Sequence, residues 1–191
     1  MSQINIAGDT SGSIAVVAPL VAGSNTITLP ASTGTVLTSV SPASDLPSSI
    51  KGPAFSAYQS SSQTGVSSSV WTKVTLTTEN FDTNSNFASS RFTPTVAGYY
   101  QINGVVTMQS TTTTHFVACA IYKNGAIYSQ SGATSGLSTF YPASTIANIV
   151  YLNGSTDYVE LYVYGSAGGS TYNIYNTAEN TNFNGSLARS V

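Results

Sequence analysis

From Tyr100 the chain alternates between two kinds of side chain. Tyr100, Ile102, Gly104, Val106 and Met108 fall on one side, and Tyr99, Gln101, Asn103, Val105 and Thr107 on the other. A period of two predicts a β-strand with one face in a core. Thr93-Pro94 and Ala97-Gly98 bracket the turn before it, because proline presets φ and glycine permits a tight approach. The same alternation predicts strands over 52–58, 70–76, 116–122, 145–152, 157–164 and 183–187, with a Ser/Gln/Gly loop after 58. Asn124-Gly125 supplies the two positive-φ positions of a type I′ hairpin, so 126–130 should return along 116–122, and Asn153-Gly154 marks another turn. No helical periodicity of useful length occurs. Roughly eight to ten short strands separated by turns predict an all-β sandwich or barrel.

Residues 1–40 read differently. Three short β-prone runs open at Gly12, Gly23 and Gly34, about eleven residues apart, and two of them close on proline. Such spacing suggests a small repeated strand-and-turn unit. No aromatic residue occurs there, so the segment has little from which to build its own core and is expected to pair with copies of itself or with another protein. Its pattern, TITLPASTGTVLT above all, resembles short segments of tailed-phage fibre and virion-surface proteins. Residues 41–50, with two prolines and several serines, read as a linker. The second domain is expected over 51–191.

Composition narrows the function classes. Of 191 residues only 6% are charged while 41% are hydrophobic, so a core can form but the surface must be made polar by hydroxyls and amides. Such a surface suits an extracellular or virion-exposed protein. The formal charge of −2 offers no basic patch for phosphates, which argues against nucleic acid. No apolar run approaches the ~20 residues of a membrane helix, so no membrane insertion is expected. The N-terminal MSQINIAGDTSG has no basic segment followed by an apolar one, so no export signal is expected. Release on a virus particle reconciles the two.

Cys119 is the single cysteine, so no intrachain disulfide forms. It alternates with Val117 and Ile121 and is expected to be a small buried apolar group. The single histidine, His115, has no sequence-local partner that would make a triad, so no catalytic residue and no enzyme activity are expected.

Several segments, taken together, resemble the globular head of complement component C-one-q, a trimeric jelly roll related to tumour necrosis factor. They are GPAFSAY at 52–58, WTKV at 71–74 and ENFD at 79–82. Phe92 stands ahead of Gly98-Tyr99-Tyr100. IYKNG follows at 121–125, then YLNG at 151–154, DYVEL at 157–161, and Phe183, Gly185 and Leu187. The likeness covers about seven-tenths of the chain. The loop between Phe87 and Phe92 looks about two residues shorter than is usual. No collagen-like stalk precedes the domain, so the family's animal immune roles do not carry over. The resemblance implies a jelly-roll β-sandwich and a homotrimer. Some members bind calcium through acidic loop residues, but Glu79, Asp82 and Asp157 are scattered here, so no metal ligand is assigned and no cofactor is expected.

The candidate sites follow from exposed aromatics. In 157–164, Val159, Leu161 and Val163 suit the core, leaving Tyr158, Glu160, Tyr162 and Tyr164 on the other face. Tyrosines favour interfaces, so Tyr158, Tyr162 and Tyr164, with Phe116 and Tyr122, are the candidate trimer contacts, although an exposed tyrosine ladder would read the same way. Small Ala118 and Ala120 would allow close approach. Tyr172, Asn173 and Tyr175 lie in 165–175, read as a loop able to hold a carbohydrate or merely to connect. The expectation is a non-enzymatic, homotrimeric structural protein of a tailed-phage virion surface. Residues 1–40 would attach it to capsid or tail proteins. Its role would be capsid decoration and cement, or a short fibre whose tip recognises a host surface glycan or protein. A secreted lectin-like protein is the remaining alternative.

Overall fold

The computed structural model describes residues 3–7, 13–17, 52–109, 115–135, 141–167 and 171–191. The chain divides into two compact units, Met1–Ser41 and Pro42–Val191. In the first, β1 (Gln3–Ala7) pairs antiparallel with β2 (Ser13–Val17), with Ile6 opposite Ile14. The run opened by Gly12 is therefore β2, and its partner β1 is a strand that the glycine spacing does not predict. The runs opened by Gly23 and Gly34 and the 41–50 linker lie outside the described residues.

The second unit is all-β, a jelly-roll sandwich of two antiparallel sheets. Its strands are β3 (Ala54–Tyr58), β4 (Gln63–Ser67), β5 (Thr72–Lys73), β6 (Thr78–Asp82), β7 (Phe87–Ala88), β8 (Arg91–Phe92) and β9 (Ala97–Gln109). They continue as β10 (His115–Lys123), β11 (Ala126–Ser135), β12 (Ala143–Asn153), β13 (Val159–Ala167), β14 (Thr171–Ile174) and β15 (Asn182–Ser190). One sheet runs β11-β10-β13-β8-β7, with β5 also against β13. The other runs β4-β14-β9-β15-β3-β6, with β12 also against β9. First and last strands of the unit, β3 and β15, are thus neighbours, and the chain crosses between sheets as a jelly roll requires.

The period of two decides which side chains meet between the sheets. Tyr100, Ile102, Val106 and Met108 of β9 are fully buried, as are Val117, Cys119 and Ile121 of β10 and Val159, Leu161 and Val163 of β13. Burying a Val, Leu, Ile or Phe side chain contributes roughly 1.5–3 kcal/mol each. An aromatic cluster fills the end beside β8. Phe55 stacks on Phe92 at 4.3 Å and on Phe87 at 5.0 Å, with Phe183 edge-on at 5.1 Å. Tyr100 stands edge-on to Phe92 at 5.6 Å and donates its hydroxyl to Val96 O at 2.7 Å. Burial pushes its pKa up to about 12. Phe92 and Tyr100, two of the residues that carry the family resemblance, are therefore core residues.

The hairpin at 124–125 forms as the turn chemistry requires, with φ of 51° at Asn124 and 82° at Gly125. Elsewhere the boundaries move. The strand expected over 70–76 shortens to β5, two residues against Tyr162 and Val163, although Val74 N still donates to Leu161 O at 2.9 Å. The Ser/Gln/Gly stretch after 58 contains β4, paired with β14. The 165–175 segment is corrected from loop to strand: β13 runs on to Ala167 and β14 occupies Thr171–Ile174. No helix of the described residues is long and apolar enough to cross a membrane.

Candidate functional site

Two outward faces carry the aromatic residues. On the first sheet, β13 presents Tyr158, Glu160, Tyr162 and Tyr164 in the order its alternation dictates. They are not bare. β5 lies antiparallel beside β13 and brings Trp71 and Lys73 against the row, while the short β7–β8 turn brings Arg91. The Arg91 guanidinium lies 3.8 Å above the Tyr158 ring. Tyr162 stacks on Tyr122 at 3.7 Å and 17°. Tyr164 sits between Trp71 at 5.5 Å and Phe116 at 6.1 Å. All four tyrosines are half-buried within one chain, and Ala118 and Ala120 beneath them are buried. The candidate trimer contacts Tyr158, Tyr162, Tyr164, Phe116 and Tyr122 are thus partly covered by Trp71, Lys73 and Arg91 of the same chain. Trp71 and Lys73 are eighty-odd residues away in sequence, and alternation cannot reveal such a lid.

Glu160 is the electrostatic centre of this face. Its side chain is 3% exposed, with Lys73 Nζ 2.7 Å and Arg91 Nε 2.8 Å from the same Oε1. Burial alone would raise the Glu160 pKa. The hydrogen bonds from Lys73 and Arg91, and then their charges, outweigh that and hold it below the ordinary value. The Arg91 pKa is correspondingly raised, chiefly by its hydrogen bond to Glu160. Tyr122 and Tyr162 titrate higher than usual because burial disfavours the phenolate.

The second sheet turns a different surface outward through β9, β12 and β15. Tyr99 and Tyr151 face each other across the β9–β12 pair with ring centroids 5.6 Å apart. Tyr99 is 44% exposed, Tyr151 40% and Ile149 51%. Tyr128, on edge strand β11, donates its hydroxyl to Ile149 O at 3.2 Å and extends the apolar area around the sandwich edge. Beside the rings runs a ladder of amides. Gln101 Nε2 donates to Asn103 Oδ1 at 3.0 Å, Asn103 Nδ2 to Asn184 Oδ1 at 3.1 Å, and Asn184 Nδ2 to Asn182 Oδ1 at 3.3 Å. Lys123 closes the end of the face with a 2.9 Å ion pair to Asp157 and a 2.7 Å hydrogen bond to Tyr151 O. The Asp157 pKa is lowered, first by the hydrogen bond from Asn124 and then by that from Lys123. The signal for this face was present in the sequence: in β12 the phase that buries Ile146, Val150 and Leu152 must turn Ile149 and Tyr151 outward.

The remaining candidates separate. Tyr172 is 3% exposed and belongs to the core, so it is corrected from a ligand-contacting residue to a packing one. Asn173 Oδ1 accepts a hydrogen bond from Gly65 N at 3.2 Å, and Tyr175 stacks on exposed Tyr141 at 4.9 Å. Cys119 is buried with Sγ 3.2 Å from Ser144 Oγ, and burial raises its pKa, which disfavours a nucleophilic thiolate. Asp82 accepts from Phe87 N at 2.7 Å and Asp157 from Asn124, so both are engaged in local structure. Among the described residues no group of three or more His, Cys, Asp or Glu gathers where it could hold a metal.

Geometry and strand order define the chain's class as a two-sheet jelly roll. No protein-family model and no curated protein sequence matches the chain. Among solved structures it is similar to murine APRIL at 10% identity and a TM-score of 0.49, over 71% of this chain and 98% of that one. It is similar to Eiger TNF from S. frugiperda at 10% identity and 0.48, over 73% and 94%. The PRD1 vertex protein P5 is also similar, at 16% identity and 0.46, over 72% and 97%. What stands of the sequence resemblance is the jelly roll, which the strand order establishes by itself.

Proposed function

We propose that this chain is a non-enzymatic structural protein of a virion surface. It assembles as a homotrimer through the outward face of β9 and β12, with residues 1–40 contacting other virion proteins and the jelly-roll head projecting outward. The observation that carries the assembly is the exposed trio Tyr99, Ile149 and Tyr151, set beside a ladder of amides, with exposed Arg189 next to Tyr99 on β15. Large aromatic and aliphatic groups with an arginine at their margin are what interfaces are enriched in. The apolar area continues from the flat face to the β11 edge, so the edge of one copy can meet the face of the next, and such head-to-tail contacts close into a ring. The half-buried tyrosine row on β13 then stays on the outside. The virion setting is supported by the low-charge surface and by the glycine-punctuated N-terminal pattern.

Sedimentation equilibrium of the full chain tests the assembly. A trimer is expected, and Ile149→Asp should yield a folded monomer at micromolar concentration, since it places three carboxylates in a desolvated contact. A wild-type monomer refutes the interface. Imaging of particles tests the setting: regular sites over the shell fit decoration and cement. Density confined to the tail end favours the fibre-tip reading, for which the aromatic-walled cavity below is the specific support.

A further inference from the structure

The outward face of the first sheet contains a cavity of about 300 Å³ that the assembly through β9 and β12 does not use. It lies over β10, β11 and β13 and is lined by Trp71, Phe116, Ala118, Gln130, Ser131, Gly132 and Tyr164. Three aromatic rings form its walls, with Tyr164 held between Trp71 and Phe116. The floor is small by construction. Ala118 adds one methyl, and at Gly132 a Cβ would lie 3.1 Å from Phe116 Cζ, tighter than an ordinary contact, so any side chain there would push the Phe116 ring. Gln130, exposed and paired with Ala120 on the outward face, supplies an amide at the rim. Among the described residues none hydrogen-bonds the Gln130 amide or Trp71 Nε1–H. No lining residue is charged.

We propose that this cavity binds a neutral pyranose unit of a surface polysaccharide. A pyranose presents a face of polarised C–H groups and an edge of hydroxyls. The C–H face is attracted to the negative face of an aromatic ring, and burying it there removes apolar surface from water. The hydroxyl edge needs a partner that both donates and accepts, which the Gln130 amide provides with its N–H groups and its carbonyl. The volume stands at the lower end for small-molecule sites, which suits a single sugar ring rather than a large apolar ligand. An anionic ligand would find no cation in the lining, and a purely apolar one would leave the rim groups unpaired.

The inference rests on the head projecting outward, because only then does the cavity meet a cell envelope. Trp71 is the sole tryptophan of the chain, so its fluorescence reports on the site directly. The full-length protein is titrated with methyl α-D-glucopyranoside, methyl α-D-galactopyranoside, methyl α-D-mannopyranoside, L-rhamnose and dextran oligosaccharides, and with N-acetylneuraminic acid and D-glucuronate as anionic counterparts. A saturable shift of Trp71 emission is expected with at least one neutral sugar. Gln130→Ala, an exposed side chain whose loss leaves the fold intact, should weaken that response about fivefold, and Tyr164→Ala about tenfold. The site is disproved if no neutral sugar shifts the emission up to about 100 mM. It is equally disproved if only the acids do so, or if Gln130→Ala responds as the wild type does. Sedimentation of the same samples separates this failure from that of the assembly. A trimer without a sugar response loses the cavity's role alone, and a responsive monomer loses the interface alone.

Discussion

Glu160→Gln removes a charge from between two cations without changing the side chain's volume. In the native head that carboxylate accepts from Lys73 at 2.7 Å and from Arg91 at 2.8 Å. Hydrogen bonds to charged groups contribute about 1.5–3 kcal/mol each, so the pair is worth roughly 3–6 kcal/mol before the carboxylate's own desolvation is subtracted. The cations are 30% and 43% exposed, so in the variant both can turn back towards water, and solvent already screens part of their attraction. A net loss of about 2 kcal/mol follows, which lowers the melting temperature of a domain this size by about 4–8 °C. Urea denaturation at neutral pH and fixed protein concentration, followed by Trp71 emission, measures it.

The pH dependence provides a second reading of the same group. Glu160's folded pKa lies below its ordinary value of 4.5. Its contribution is therefore complete above the unfolded carboxylate range and is lost as the pH falls through the folded pKa. The stability gap between wild type and Glu160→Gln should accordingly be constant from pH 7 to about 5 and close below about 4. A variant within about 0.5 kcal/mol of wild type at pH 7 would show that the triad adds nothing net. A gap that persisted into acid would show that the lost charge is not its cause.

Gly154→Ala should destabilise by about 1–3 kcal/mol, because the residue holds φ at 71° and a Cβ would clash with the backbone N of Ala97. Gly65→Ala, at φ of 68° but in open space, is the control that isolates backbone strain from the clash. Equal melting temperatures for the two variants would contradict this. Cys119, fully buried and with its pKa raised chiefly by burial, should resist an aromatic disulfide reagent in the native protein and react stoichiometrically in urea. Rapid labelling of the native chain would mean the core opens far more readily than its packing implies.

Much of the fold was legible because it rests on local rules. The alternation in β9, β10, β12 and β13 gave the buried faces, and Asn124-Gly125 gave the hairpin. The segments that resemble the complement head, from GPAFSAY at 52–58 to Phe183, Gly185 and Leu187, pointed in aggregate to the jelly roll before any packing was visible. What stayed hidden depends on distance along the chain. β4 exists because Val66 meets Tyr172 of β14, and neither stretch alternates long enough to announce itself. The tyrosine row of β13 could be placed on an outward face but not under Trp71 and Arg91, which arrive from remote turns. Tyr172 read as a loop residue because the glycines around it mask a strand of only four residues. The exposed trio was visible in principle, yet three tyrosines on one strand drew more weight than two strands that each contribute one or two.

The sparse charges explain how both outward faces can serve. Lys73, Arg91 and Lys123 are three of the chain's five basic residues, and each is fixed in an ion pair with Glu160 or Asp157. The fields of these ions are thus contained at the β13 row and at one end of the β9–β12 face. What remains around the exposed rings is mainly amide and hydroxyl, with Arg189 beside Tyr99 as the basic group of that face. Burying an amide ladder against sister copies requires only that its hydrogen bonds be kept, which Gln101, Asn103 and Asn184 already do among themselves. Burying free lysines or glutamates there would require desolvating ions, at a cost of several kcal/mol each. The lining of the Trp71 cavity likewise holds no charged residue. Introducing one charge at Ile149, among the exposed rings, should therefore cost the assembly more than deleting any one neutral contact of that face.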